Sequence, residues 1–225
     1  MGDLSGEFPV QYEISCAVPA DVDNRCVRPY PAIPCREENE MTLNDERSHE
    51  AIRAIMGRRS VRVFKTKAVE PEKVTVLLEC AFAAPSAMNI QPCHFMVIDD
   101  RELLKKIGAV SERTRMVTGA PLAIAVCVDV ASYEKVHRLT DGTWVADGAS
   151  AMENILVAAK ALGLDGVWLH IVNRPDRENS VPPLLNLPDG VKVLALAVLG
   201  YGAELKAPHS GVDEARLHRN GWRLS

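Results

Sequence analysis

No stretch of the chain stays apolar for the roughly 18 to 20 residues that a membrane-spanning helix needs. The first residues, MGDLSGEF, lack a basic region followed by an apolar one, so no secretory signal is expected. They also miss the myristoylation pattern, because the sixth residue is Gly6. A basic excess is missing too. The formal net charge is -4, which argues against a general nucleic-acid or membrane-surface binder. The expected home is the cytoplasm, and the expected ligands are small molecules.

The usual catalytic signatures are absent as well. There is no H-E-x-x-H, no G-x-S-x-G and no G-x-x-x-x-G-K-[ST]. The six histidines are scattered, with no pair at i, i+4. The six cysteines include no C-x-x-C pair, so no metal site is expected. Cys80, Cys93 and Cys127 lie in apolar segments and read as small core residues. Cys16, Cys26 and Cys35 lie in an N-terminal stretch, residues 1–44, that shows no sustained period. It reads as an irregular arm with free thiols, a redox or metal role being the alternative. The two glycines of LGYGAEL do not make a dinucleotide fingerprint, because Leu205 takes the third glycine position.

What is present is a folded domain over residues 45–225, with Asn44 or Asp45 as the first helix cap. Residues 46–56 put Ile52, Ile55 and Met56 on one helical face, and Gly57 stops the helix. Pro71 opens a second helix with Val74, Leu77, Leu78 and Ala81 as its stripe. HFMVID predicts a strand and RELLKKIG a short helix. PLAIAVCVDV predicts a strand buried on both faces. Residues 144–162 predict the longest helix, and DGVWLHIV and VKVLALAVLG two further strands. Elements of both kinds alternate, so the class is α/β or α+β, with one sheet covered by helices.

Two polar clusters stand out. In GRRSVRVF, Arg58, Arg59, Ser60 and Arg62 straddle a helix end and the extended segment after it. Ser60 and Arg62 point the same way if that segment is strand-like. A hydroxyl and a guanidinium on one side suit a phosphate or a ribityl chain. A solvated basic face at a helix C-terminus is the alternative. In AAPSAMNIQPCHF, Ser86, Asn89 and Gln91 are uncharged hydrogen-bonding groups between Pro85 and Pro92. They suit the amide-like edge of a planar ring, or a turn that satisfies its own backbone.

Together these stretches resemble the nitroreductase family of FMN-dependent oxidoreductases. RRSVRVF and APSAMNIQPCHF stand in that family's order and spacing, followed by GASAMENILVAAKALGL, GVWLHI and a closing LGYGAELKAP. The resemblance covers roughly residues 46–225. It implies an α+β fold, a central mixed β-sheet flanked by helices, and a homodimer with FMN at the interface. By this resemblance Arg58, Arg59, Ser60 and Arg62 match the phosphate and ribityl grip. Pro85, Ser86 and Asn89, with Gln91 close by, match residues near the isoalloxazine ring, typically from the other subunit. Val167, Trp168 and Leu169 match the segment lining the ring's other side. Two departures are visible. Cys93 replaces the usual aromatic residue after Gln-Pro. In the closing segment His209 and Gly211 stand where relatives carry basic residues, which leaves Lys206 as the nearest cation.

The implied activity is hydride transfer from NAD(P)H through the flavin to a nitroaromatic, quinone or similar acceptor. The cofactor carries the chemistry, so no catalytic side chain is assigned. Reductive dehalogenation, flavin fragmentation, or a flavin-binding redox partner without turnover are the alternatives. Residues 108–120 and 130–143 are the candidate lids.

Overall fold

A computed structural model describes residues 46–134, 142–207 and 212–222. The proposed arm, with Cys16, Cys26 and Cys35, lies outside the described residues, as do the Asn44 and Asp45 caps, His209 and Gly211.

The chain runs α1 (Glu46–Gly57), α2 (Pro71–Phe82), β1 (Cys93–Ile98), α3 (Arg101–Gly108), α4 (Met116–Gly119), β2 (Leu122–Asp129) and α5 (Ala131–Glu134). It continues with α6 (Thr143–Ala161), β3 (Asp165–His170), α7 (Pro175–Glu178), α8 (Val181–Leu184) and β4 (Val191–Gly200). Local signals explain the ends. Pro71 fits the first turn of α2, where its missing N–H costs nothing. Asp100 caps α3 by accepting from the Leu103 N–H at 2.7 Å. Gly163, at φ +73°, turns the chain out of α6 in a conformation that favours glycine.

The four strands form one sheet in the order β1-β2-β4-β3, and every neighbouring pair is antiparallel. Among the described residues, parallel pairing enters through one bridge, Ser60 to Gly166, outside the β3 edge. The sheet is covered on both sides, so the fold is α+β. Ile124, Val126, Leu194 and Leu199 face α2 and α6. Ala123, Ala125, Leu196 and Val198 face the side of Leu104, Val117 and Val181. This alternation follows from the two-residue period of a strand. β2 is buried along seven of its eight residues, as an apolar run of strand length predicts.

α6 is the central helix. Met152, Leu156 and Ala159 are buried, with Val145 and Ala149 packed at the margin, so the predicted stripe faces the core. α1 differs from expectation. Among its described side chains Ala54 is buried, at 5 % exposure, while Ile52, Ile55 and Met56 are 53 %, 54 % and 42 % exposed. The apolar face is present, but nothing among the described residues covers it. Cys127 is buried, and Cys80 and Cys93 are only half-buried. Among the described residues no helix is long and apolar enough to cross a membrane.

Candidate functional site

α1 makes its last helical bond from the Arg58 N–H to the Ala54 carbonyl, 3.0 Å. The chain then extends along the outer edge of β3. Ser60 bridges Gly166 in parallel, and the Val61 N–H donates to the Gly166 carbonyl at 3.1 Å. Val61 is buried at 2 % exposure. Its neighbours Ser60 and Arg62 therefore share the opposite face, the first half-buried and the second exposed.

The segment after β4 closes on the same place. Lys65 N–H donates to Tyr201, and Ala203 N–H donates to Val63, at 2.8 and 2.9 Å. Lys206 Nζ donates to the Ser60 carbonyl at 2.5 Å. Arg59 Nε donates to the Ala207 carbonyl at 2.7 Å. Arg58, Arg59, Ser60, Arg62 and Lys206 thus stand together, beside Val167, Trp168 and Leu169 on β3.

Two carboxylates that sequence reasoning missed sit among these cations. Glu153 on α6 pairs with Arg58, Nε to Oε1 3.1 Å. Glu204 Oε1 accepts from the Arg62 backbone N–H at 2.5 Å and lies 3.3 Å from Lys206 Nζ. The Arg62 N–H, followed by Lys206, holds the Glu204 carboxyl below its ordinary range. Four cations face two carboxylates, so the cluster keeps positive charge in a chain that is acidic overall.

A recess of about 690 Å³ opens next to the cluster, lined by Arg62 and residues 167–170. That is ample for a planar ring system with a second molecule against it. Trp168 Nε1 is buried without a hydrogen-bond partner among the described residues. His170 on the wall is held below the usual imidazole value, first by burial and then by Arg174 and Arg177.

Residues 85–91 are built differently. Pro85 is exposed, Ser86 precedes a single 3-10 turn, and Asn89 and Gln91 are exposed. Met88, Asn89 and Gln91 have φ of 49°, 55° and 52°. Each left-handed non-glycine residue costs about 1–3 kcal/mol and persists only when its surroundings impose it. Two anchors impose it here. Ser86 Oγ accepts from the Gln91 N–H at 2.8 Å, so the turn does satisfy its own backbone. Both oxygens of Asp147 accept from the Ala87 N–H, at 3.0 and 3.1 Å. The Tyr133 hydroxyl donates to the same carboxylate at 2.5 Å. Asp147 is only 6 % exposed.

Asp147 and Glu153 lie six residues apart on α6 and so on different faces of that helix. Within one chain, therefore, residues 86–91 are anchored away from the Arg58–Glu153 side. Cys93, beside Asp147, has its thiol pushed up to about 11, chiefly by burial and then by the Asp147 charge, which makes it an inert packing residue. Asp147 did leave a signal in the sequence. It shares a helical stripe with Ala151, Ile155 and Ala158, where an acid is out of pattern. Glu153, Glu204 and Arg177 left none.

Comparison with known proteins follows the same outline. The model of the Nitroreductase family matches residues 55–115 and 109–201. An Archaeoglobus fulgidus protein, provisionally named an NADH dehydrogenase/NAD(P)H nitroreductase, is 36 % identical over 176 residues, 77 % of this chain and 99 % of its own. The FMN reductase [NAD(P)H] of Bacillus subtilis is 27 % identical over 195 residues, 79 % of this chain and 78 % of its own. The solved FMN-dependent nitroreductase of Clostridium difficile R20291 superposes with a TM-score of 0.69 at 28 % identity, covering 76 % of this chain and 99 % of that one. With its order of motifs, its helix-covered sheet and a family match across most of the described residues, the chain belongs to the nitroreductase family.

Proposed function

We propose that this protein is an FMN-dependent NAD(P)H oxidoreductase acting on a nitroaromatic, quinone or similar small acceptor. The observation that carries the reading is the Ser60–Gly166 bridge. It places the arginine-rich segment, with Lys206, against the wall formed by residues 167–170. A phosphate-binding end and a ring-sized recess then adjoin each other, which is the outline of FMN. The names of the relatives point the same way.

Arg58, Arg59, Ser60 and Lys206 are the groups for the phosphate and ribityl end. Charge-assisted and bidentate bonds from guanidinium make this a strong anion site. Lys206 takes the part of the basic residues missing at His209 and Gly211. Val167, Trp168 and Leu169 are the wall for the flavin ring, and the orphaned Trp168 Nε1 is a donor free for a ligand. FMN, when bound, supplies the hydride relay between reductant and acceptor. The chain's own task is to hold both reactants close and aligned. Arg62 adds fixed positive charge where the reaction accumulates negative charge.

A homodimer completes the site in this reading. The uncovered Ile52, Ile55 and Met56 provide an apolar contact face. Pro85, Ser86, Asn89 and Gln91, anchored away from Ser60 in their own chain, serve a partner's flavin. Light scattering with size exclusion should return the mass of two chains, and Ile55→Glu should return one chain with less flavin. The chromophore released by heat from the purified protein should run as FMN. A parent protein that never takes up FMN, even after incubation with excess, refutes the reading.

A further inference from the structure

The recess beside residues 167–170 carries more positive charge than a flavin slot needs. Arg62, Arg113, Arg174 and Arg177 all line it, against Glu112 and Asp176. They come from three separate parts of the chain, the segment after α1, the 3-10 turn before α4, and the turn and helix after β3. The chain as a whole is acidic, at -4, so this concentration is local.

The state of each guanidinium sharpens the point. Arg177 is only 7 % exposed. Its Nη1 donates to the His170 carbonyl at 2.7 Å, but its Nε has no hydrogen-bond partner among the described residues. Asp176 Oδ2 lies 3.5 Å from that Nε, and Asp176 is half exposed. A buried charge compensated so loosely is costly unless something else neutralises it. The side chains of Arg113 and Arg174 have no partner among the described residues. Both residues are exposed, so their guanidiniums are open to a ligand entering the recess, where a concave lining mostly of one sign focuses the field.

Resting on the flavin reading above, we propose that this recess is a subsite for an oxyanion, phosphate or carboxylate, carried by a substrate of the flavin. The enzyme then prefers an anionic reactant over a neutral one of the same shape. The oxyanion has two sources. It is the 2′-phosphate that distinguishes NADPH from NADH, or it is a carboxylate on the acceptor. The flavin's own phosphate belongs at the Arg58, Arg59 and Lys206 end, around Ser60.

The test is calorimetric titration of the purified protein with four probes, NADP⁺, NAD⁺, 4-nitrobenzoate and 4-nitrobenzamide. Parent protein and an Arg113→Ala/Arg174→Ala variant are compared, and their FMN affinities are measured alongside. Parent protein should bind one anionic probe more tightly than its neutral or less charged counterpart. The variant should lose that probe by roughly tenfold or more, the scale of one or two charge-assisted bonds. The counterpart should stay within about twofold, and the preference should shrink as salt is raised. Loss of NADP⁺ alone assigns the donor's phosphate, and loss of 4-nitrobenzoate alone assigns an acceptor acid. The proposal is overturned if no probe changes, or if charged and less charged probes fall together. It is also overturned if FMN affinity is what falls, since the arginines would then serve the cofactor. A parent protein without flavin refutes the functional reading instead, and the same titrations still read the recess.

Discussion

The most exacting structural prediction concerns Asp147. Its carboxylate receives the Ala87 N–H and the Tyr133 hydroxyl, both in nearly dry surroundings. Hydrogen bonds to a charged group contribute about 1.5–3 kcal/mol each. Asp147→Ala removes two such bonds and leaves the Tyr133 hydroxyl without its partner in the core. The expected loss is about 3–5 kcal/mol, a large part of the ~5–15 kcal/mol that holds a domain together. Tyr133→Phe removes one bond and leaves the carboxylate on Ala87, so about 1.5–3 kcal/mol is expected. The effects should not add in the double variant, because both act through one carboxylate. Urea unfolding followed by circular dichroism gives all three numbers. The same network imposes the left-handed backbone at Met88, Asn89 and Gln91. Tyr133→Phe, which should still fold, is therefore expected to lose flavin as well as stability. If Asp147→Ala and Tyr133→Phe each lie within about 0.5 kcal/mol of the parent, the reasoning from buried hydrogen bonds is wrong here.

Three further outcomes are expected. Arg58→Ala and Ser60→Ala should bind FMN roughly tenfold or more weakly while losing no more than about 1 kcal/mol of stability, the scale of the partly exposed Arg58–Glu153 pair, and equal flavin occupancy would remove these residues from the site. Gly166→Ala should cost about 1–3 kcal/mol and disturb the Ser60 bridge, because an added Cβ would lie 2.6 Å from Leu199 Cδ2 and 3.0 Å from the Val198 carbonyl; thermal melting reads it. Glu70 has its carboxyl lowered from 4.5 to about 2, first by Lys67 and then by the Tyr201 hydroxyl. A depressed folded value means the stabilisation is complete above the unfolded value and fades as pH falls from about 4.5 toward 2. Unfolding midpoints of Glu70→Gln and parent should therefore differ at neutral pH and converge in acid.

Much of this fold was legible because periodicity and punctuation agree. The stripe of α6, the apolar run of β2, and Pro71 and Gly163 at their helix ends are local signals, and the structure keeps them. What escaped was non-local. Nothing in the spacing says that Ser60 pairs with Gly166, or that Glu204 accepts from the Arg62 N–H 142 residues away. The short helices α4, α5, α7 and α8 are single turns, too brief for a period to register. The face of Ile52, Ile55 and Met56 shows the limit in the other direction. Its helical pattern is local and legible, yet what covers it is non-local, and no surface among the described residues does so.

The measurement closest to the central claim is an anaerobic titration of the freshly purified protein with NADPH and NADH, following the visible flavin spectrum. A yellow protein is expected, whose flavin band bleaches as reductant is added and returns when a quinone is supplied. A yellow protein that neither nicotinamide reduces, or a colourless one that FMN cannot reconstitute, would contradict it.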